Sequence, residues 1–218
     1  MANPVKPTFK TEAISLLVIL IVLLISFYFY SGLPETVPSH WNAQGEVDGW
    51  SSRNFTVFFF PALIIGMYLL FLALPYLDPR KKNYQKFTGA YHGFKTMLVL
   101  FVSLLYLITG FSGLGYDLPI DKIVISMVGI LFLVIGNYLP RIKSNWFIGI
   151  RTPWTLSSEK VWQRTHQVGG RLFMVEGALI IFLVFLLPQL LYQFFFISIM
   201  AIVLWVFLYS YLLYRKTK

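Results

Sequence analysis

The residues able to do chemistry are few and scattered. The chain carries three histidines, nine Asp and Glu and no cysteine among 218 residues, which removes disulfides, thiolate metal sites and cysteine nucleophiles. His40, His92 and His166 fall in three separate intervals, so they suggest no shared metal centre. His40, Asn42, Glu46 and Asp48 can be drawn as a ligand set. They lack the regular oxygen spacing of an EF-hand and the repeated histidines of zinc sites. No HExxH, GxSxG or glycine-rich phosphate loop is present, and the chain is read as a non-enzyme with no metal and no cofactor. Glu176 is the charged side chain expected within an apolar span. A charge at the bilayer centre costs about 2.5–3.5 kcal/mol on insertion scales, so Glu176 is expected to face the bundle and pair with a donor, Lys95 or His92. The alternative is a proton or substrate site.

The elements that must position these groups are apolar helices. Hydrophobic residues make up 57% of the chain, charged residues 12%, and the mean hydropathy is +0.70. Soluble domains carry about 25% charged residues, so this composition indicates an integral membrane protein. Six spans are predicted: 13–30, 57–77, 96–111 extended back through Tyr91, 123–139, 172–187 and 190–213. The first is too long for a signal h-region and ends in Phe27-Tyr28-Phe29-Tyr30, which suits a membrane boundary. Pro61 is expected in the first turn of the second span, and Pro75 near its end. Gly89 and Gly93 form a GxxxG spacing, Gly129 and Gly136 share a helix face, and Pro188-Gln189 reads as a tight hairpin turn.

Orientation follows from basic residues. Sixteen of the eighteen Lys and Arg lie at the N-terminus, in 78–95, in 137–171 and in the tail. The other face keeps Arg53 and Lys122 beside Glu35, Glu46, Asp48, Asp117 and Asp121. The positive-inside rule then predicts an all-α integral membrane protein with six transmembrane helices and both termini inside. The net charge of +9 becomes largely topological, and no direct nucleic-acid binding is expected. The outer loop 32–55 is punctuated by Gly32, Pro34, Pro38, Gly45 and Gly49 and reads as turn-rich. His40, Trp41 and Trp50 either seat it at the lipid headgroups or form an outward-facing binding surface.

The longest polar interval, 137–171, holds six of the eighteen Lys and Arg and three of the six Trp. Ser158 and Glu159 mark a helix start. From there Val161, Trp162, Thr165, Val168 and Leu172 share a face, the pattern of an amphipathic helix lying on the inner leaflet and feeding the fifth span. Trp162 and His166 are four residues apart, so their rings can meet. Arg151, before Thr152-Pro153-Trp154, can bind an anion or a tryptophan face, or can neutralise lipid phosphates or cap a helix end.

The stretch GNYLPRIKSNWFIGIRTPWTLSSEKVWQRTHQVGG is strongly similar to the signature of the SdpI family, bacterial multi-pass immunity proteins against a secreted cannibalism toxin. The outer loop, through Leu33-Pro34, Val37-Pro38, His40-Trp41-Asn42, Gly45 and Asp48-Gly49-Trp50, resembles a bacterial membrane domain of unassigned function. The resemblance implies a bacterial cell membrane protein conferring resistance to a membrane-active peptide toxin. It further implies a cytoplasmic transcriptional repressor as a partner. Asn145, Gly149, Arg151, Thr152, Pro153, Trp154, Trp162 and His166 are then the candidate partner-binding residues, and Pro38, His40, Trp41, Gly45, Asp48, Gly49 and Trp50 the candidate outer-loop binding residues. The expected organisation is a two-helix unit over 1–95 and a four-helix SdpI-like unit over 96–218, together one compact membrane domain. A small transporter or exporter, or a membrane scaffold, are the rival readings.

Overall fold

The computed structural model describes residues 3–42 and 44–217; Lys218, counted above among the basic tail residues, lies outside them. Among these, six helices are long and apolar enough to cross a membrane. In chain order the elements are α1 (Phe9–Gly32), β1 (Thr36–Trp41), β2 (Val47–Ser52), α2 (Arg53–Leu77), α3 (Thr88–Gly113), α4 (Ile120–Tyr138), α5 (Pro153–Ser157), α6 (Glu159–Leu186) and α7 (Leu191–Thr217). Short 3-10 turns at Lys81–Lys86, Leu139–Arg141 and Pro188–Leu190 complete the connections, the last being the expected tight turn.

Most helix ends lie beyond the apolar runs, because polar caps recruit flanking residues. Thr8 and Thr11 form a reciprocal capping box at the start of α1, satisfying backbone donors that a helix N-terminus leaves open. The helix therefore begins at Phe9, not Ala13, and takes in Glu12. The Ser52 hydroxyl accepts from the Phe55 N–H at 3.1 Å, so α2 begins directly after β2, and Pro61 lies inside the helix instead of in its first turn. Similarly, α3 starts at Thr88, three residues before the expected extension to Tyr91, and encloses Lys95.

The chain forms two compact units, each discontinuous in sequence. One comprises Pro7–Leu72 and Lys95–Val124. Its core joins Val22, Phe29, Leu33, Val37, Val57, Ile64, Tyr68, Val99 and Tyr106. Phe29 meets Tyr106 and Phe111 edge-on at 5.4 and 5.5 Å, a favoured aromatic geometry. Its ring fills the space where a side chain at Gly110 would lie. The all-α expectation is amended here: β1 and β2 form an antiparallel hairpin pairing Thr36 with Ser52, Val37 with Ser51 and Pro38 with Trp50. Register shifts around His40 break the alternation by which a strand is read from sequence.

The other unit comprises Met1–Lys6, Ala73–Phe94 and Ile125–Lys218. Here α4 and α6 cross backbone to backbone. A β-carbon on Gly129 would lie 3.1 Å from the Gly177 carbonyl oxygen, and one on Gly136 2.6 Å from that of Gly170. The Gly129/Gly136 face thus has its mate in Gly170 and Gly177, also seven residues apart; small residues permit this approach. The GxxxG pair of α3 behaves differently. Gly93 makes room for the Tyr138 ring, and Gly89 faces open space.

The helix beginning at Glu159 is one continuous 28-residue element through Leu186, not a separate surface-lying segment. Val161, Trp162, Thr165, His166, Gly169 and Gly170 are buried within the protein, so the periodic face that suggested lipid contact packs against polypeptide.

Candidate functional site

The family-like interval is organised by Asn145, which is fully buried. Its amide oxygen accepts from the N–H groups of Phe147 and Ile148 at 2.9 and 2.7 Å. Its amide nitrogen donates to the carbonyls of Lys143 and Ile148, both at 2.9 Å. One side chain thereby satisfies a turn whose backbone groups have no helix or sheet to pair with. The turn is held from outside by Asp78, also buried, whose carboxylate accepts from the Trp146 N–H and the Tyr84 hydroxyl, both at 2.9 Å. Arg80 donates to the Ser144 hydroxyl and to the Leu156 carbonyl, the latter at 2.8 Å. Burial, and then the Asp78 carboxylate, push the Tyr84 hydroxyl far above the ordinary tyrosine range, so it remains a donor. Asp78, Arg80 and Tyr84 were missed as members of this site. They lie more than sixty residues from their partners, and no local pattern marks them.

After the turn, Gly149 adopts φ +111°, a conformation that disfavours side chains. A β-carbon there would also collide with the His166 ring. His166 stacks on Trp162 with ring centroids 4.1 Å apart, as the four-residue spacing predicted. The Ile150 N–H donates to His166 Nε2 at 3.0 Å, so Nδ1 carries the proton and donates to the Trp162 carbonyl at 2.8 Å. The Trp162 indole N–H donates to the Ile142 carbonyl at 2.8 Å. Both rings are thus committed to backbone of the same interval.

Thr152 and Thr155 build a capping box for α5, with Pro153 at its start, where a missing N–H does little harm. Thr152 also shares a 3.0 Å hydrogen bond with Ser210 of α7, and Trp154 packs against Phe207 and Tyr211 at 4.9 and 5.0 Å. Arg151 is exposed and donates to the Trp146 carbonyl at 2.6 Å. Open to a partner beside this turn are Trp146 and Phe147, 46% and 37% exposed, and a cavity of about 220 Å³ lined by Asn83, Lys86, Lys143, Ser144, Glu159, Trp162 and Gln163.

The hairpin is arranged oppositely. Val37 is buried, while His40 and Asp48 are joined at 2.5 Å with side chains 72% and 44% exposed. Trp50 is 62% exposed, and Trp41 and Pro38 are half-buried. Gly49 lies where a β-carbon would come within 2.9 Å of that of His40. The Asn42 side-chain oxygen accepts from the N–H groups of Gln44 and Glu46 at 2.9 and 3.0 Å, and Gly45 closes the turn at φ +80°. No group of three or more His, Asp or Glu suited to a metal ion occurs among the described residues.

The helices hold further polar chemistry. Lys95 has Glu12 as its ion-pair partner. It is fully buried, and the Glu12 carboxylate also accepts from the Tyr68 hydroxyl at 2.9 Å. The ammonium lies 5.1 Å from the Tyr68 ring centroid. Ser15 bonds Thr96 at 3.0 Å and Ser26 bonds Tyr106 at 2.8 Å, extending this α1–α3 seam. His92 Nε2 lies 2.9 Å from the Val5 carbonyl, not beside Glu176. The Glu176 carboxylate accepts from the Ser198 hydroxyl at 2.6 Å. Among the described residues, Glu176 is therefore one of three Asp, Glu, Lys or Arg buried within apolar helices, alongside Glu12 and Lys95.

Six long apolar helices, whose outward side chains include Leu17, Leu24, Phe196 and Leu204, define a multi-pass membrane protein. Residues 141–211 match the SdpI/YfhL protein family, and residues 17–65 match a domain of unknown function, DUF1648. Over 176 residues the chain is 31% identical to the Immunity protein SdpI of Bacillus subtilis (strain 168), covering 81% of this chain and 82% of that protein. The chain belongs to the SdpI family. No solved structure matches it.

Proposed function

We propose that this chain is an immunity protein of the bacterial cytoplasmic membrane, protecting its host against a secreted, membrane-active peptide toxin. The observation that carries the reading is the 31% identity to an immunity protein across four-fifths of the chain, a stretch too long to reflect one shared motif. The distribution of basic residues supports a topology with both termini and the 137–171 interval inside and the hairpin outside. An amphipathic peptide arriving from outside would then meet Trp50, Trp41 and the His40–Asp48 pair first. Exposed aromatic groups beside polar ones are suited to such a ligand.

The test is expression in toxin-sensitive bacteria followed by challenge with the toxin of the same genomic neighbourhood. Survival above the empty vector at verified membrane abundance is expected. Survival equal to the empty vector at that abundance would refute protection against that toxin. A second reading, recruitment of a cytoplasmic repressor, draws support from the exposed Trp146–Phe147 pair. Crosslinking pull-down from cells with and without Trp146→Ala/Phe147→Ala tests it; repressor recovered equally with both chains would rule out this surface.

A further inference from the structure

Arg141 and Arg171 take no part in the turn network described above, yet the fold places them together. The crossing of α4 and α6 at Gly136 and Gly170 leaves a cavity of about 400 Å³ lined by Gly136, Asn137, Pro140, Arg141, Gln167, Gly170, Arg171 and Met174. Two guanidinium groups and two side-chain amides line it, and no carboxylate does. Arg141 donates to the Asn137 side-chain oxygen at 3.3 Å and lies 5.9 Å from the Tyr138 ring centroid, contacts that leave most of its donors open. Guanidinium forks match the oxygens of a phosphate.

The apolar edge of the cavity narrows the ligand class. Arg171 shares a helical face with Val175, Leu179 and Phe182, which are 57%, 40% and 52% exposed, and Met174 at the rim is 43% exposed. A ligand held by the arginines would therefore continue along an apolar track on α6. We propose that this cavity is a binding site for one anionic phospholipid, its phosphate between Arg141 and Arg171 and an acyl chain along Val175, Leu179 and Phe182. The site is independent of toxin protection, and the topology proposed above decides only that the lipid belongs to the inner leaflet.

The test is native mass spectrometry of the full chain in detergent, supplied with equimolar phosphatidylglycerol and phosphatidylcholine. One phosphatidylglycerol is expected to remain bound where phosphatidylcholine is stripped. R141Q/R171Q should reduce that occupancy about tenfold or more, since each charge-assisted bond lost is of the size that shifts affinity by roughly an order of magnitude. R215Q, an exposed basic residue at the end of α7, should leave it unchanged. Should the double variant lose its helical circular dichroism, R171Q alone is expected to show a several-fold decline. Equal retention of the two lipids, equal loss in R215Q, or no decline in a folded R171Q would overturn the proposal. Glycerol phosphate binding as tightly as the lipid would instead mark a free-anion site and overturn the lipid assignment.

Discussion

The interval 137–171 and the hairpin 36–52 are the two regions with family-like patterns, and they spend their polar side chains differently. In the first, Asn145, Thr152, Trp162 and His166 are each at most 6% exposed, and their side chains bond backbone groups of the interval, Thr152 also bonding Ser210 of α7. In the second, His40, Asp48 and Trp50 project from a strand pair whose hydrogen bonds are already made by its own backbone. A recognisable pattern can thus mark residues that hold a loop or residues that a loop holds out. Glycines do not follow this division: Gly149 and Gly170 are required by close approach and so is Gly49 in the hairpin, while Gly45 serves a turn at the hairpin tip.

That contrast yields a ranked set of outcomes. The largest effect is expected in neither patterned stretch but in the helices of the hairpin's unit. Lys95→Met leaves the Glu12 carboxylate buried without its cation, a loss of about 3–5 kcal/mol. The measurement is thermal unfolding in detergent, and Glu12→Gln combined with Lys95→Met should recover much of the loss. If Lys95→Met is neutral, the buried pair does not anchor the unit. Next, Asn145→Ala strands two backbone donors and two acceptors, of which the Ile148 N–H and carbonyl are buried, for about 3 kcal/mol by the usual cost of two unmet buried groups. Loss of monodisperse protein on fluorescence-detected size exclusion is the expected readout. Unchanged behaviour would show that Asn145 is not the keystone of the turn. Gly149→Ala should cost about 1–3 kcal/mol for its backbone conformation, and should weaken the Trp162–His166 stack, read as a change in tryptophan emission. Smallest is Trp50→Ala, expected to fall within about 0.5 kcal/mol of the parent in stability.

What was legible in the sequence was local. Uninterrupted apolar length revealed six spans, and four-residue spacing placed Trp162 on His166, because both signals live within one helix. Glu12 and Lys95 lie 83 residues apart and each sat just beyond an apolar run. The Thr8–Thr11 cap draws Glu12 into α1, and a pairing between two different helices leaves no local pattern, which is why Glu176 looked alone. The hairpin was obscured because its register shifts at His40 scramble alternation, while Asn42 and Gly45 do read as a turn. Gly129 and Gly136 were recognised as one face, but the complementary pair was split between two expected segments, Gly170 in the polar interval and Gly177 in the fifth span. Asp78, reaching Trp146 across 68 residues, left no mark in either neighbourhood.

If, as proposed, the hairpin meets the toxin while the 137–171 interval holds the fold, one survival assay separates the two regions. Toxin-sensitive bacteria expressing Trp50→Ala at the parent's membrane abundance are challenged over a range of toxin concentrations. Protection reduced toward the empty vector, with unfolding in detergent unchanged, is the predicted result. Protection equal to the parent across that range would contradict the assignment of the hairpin as the recognition surface.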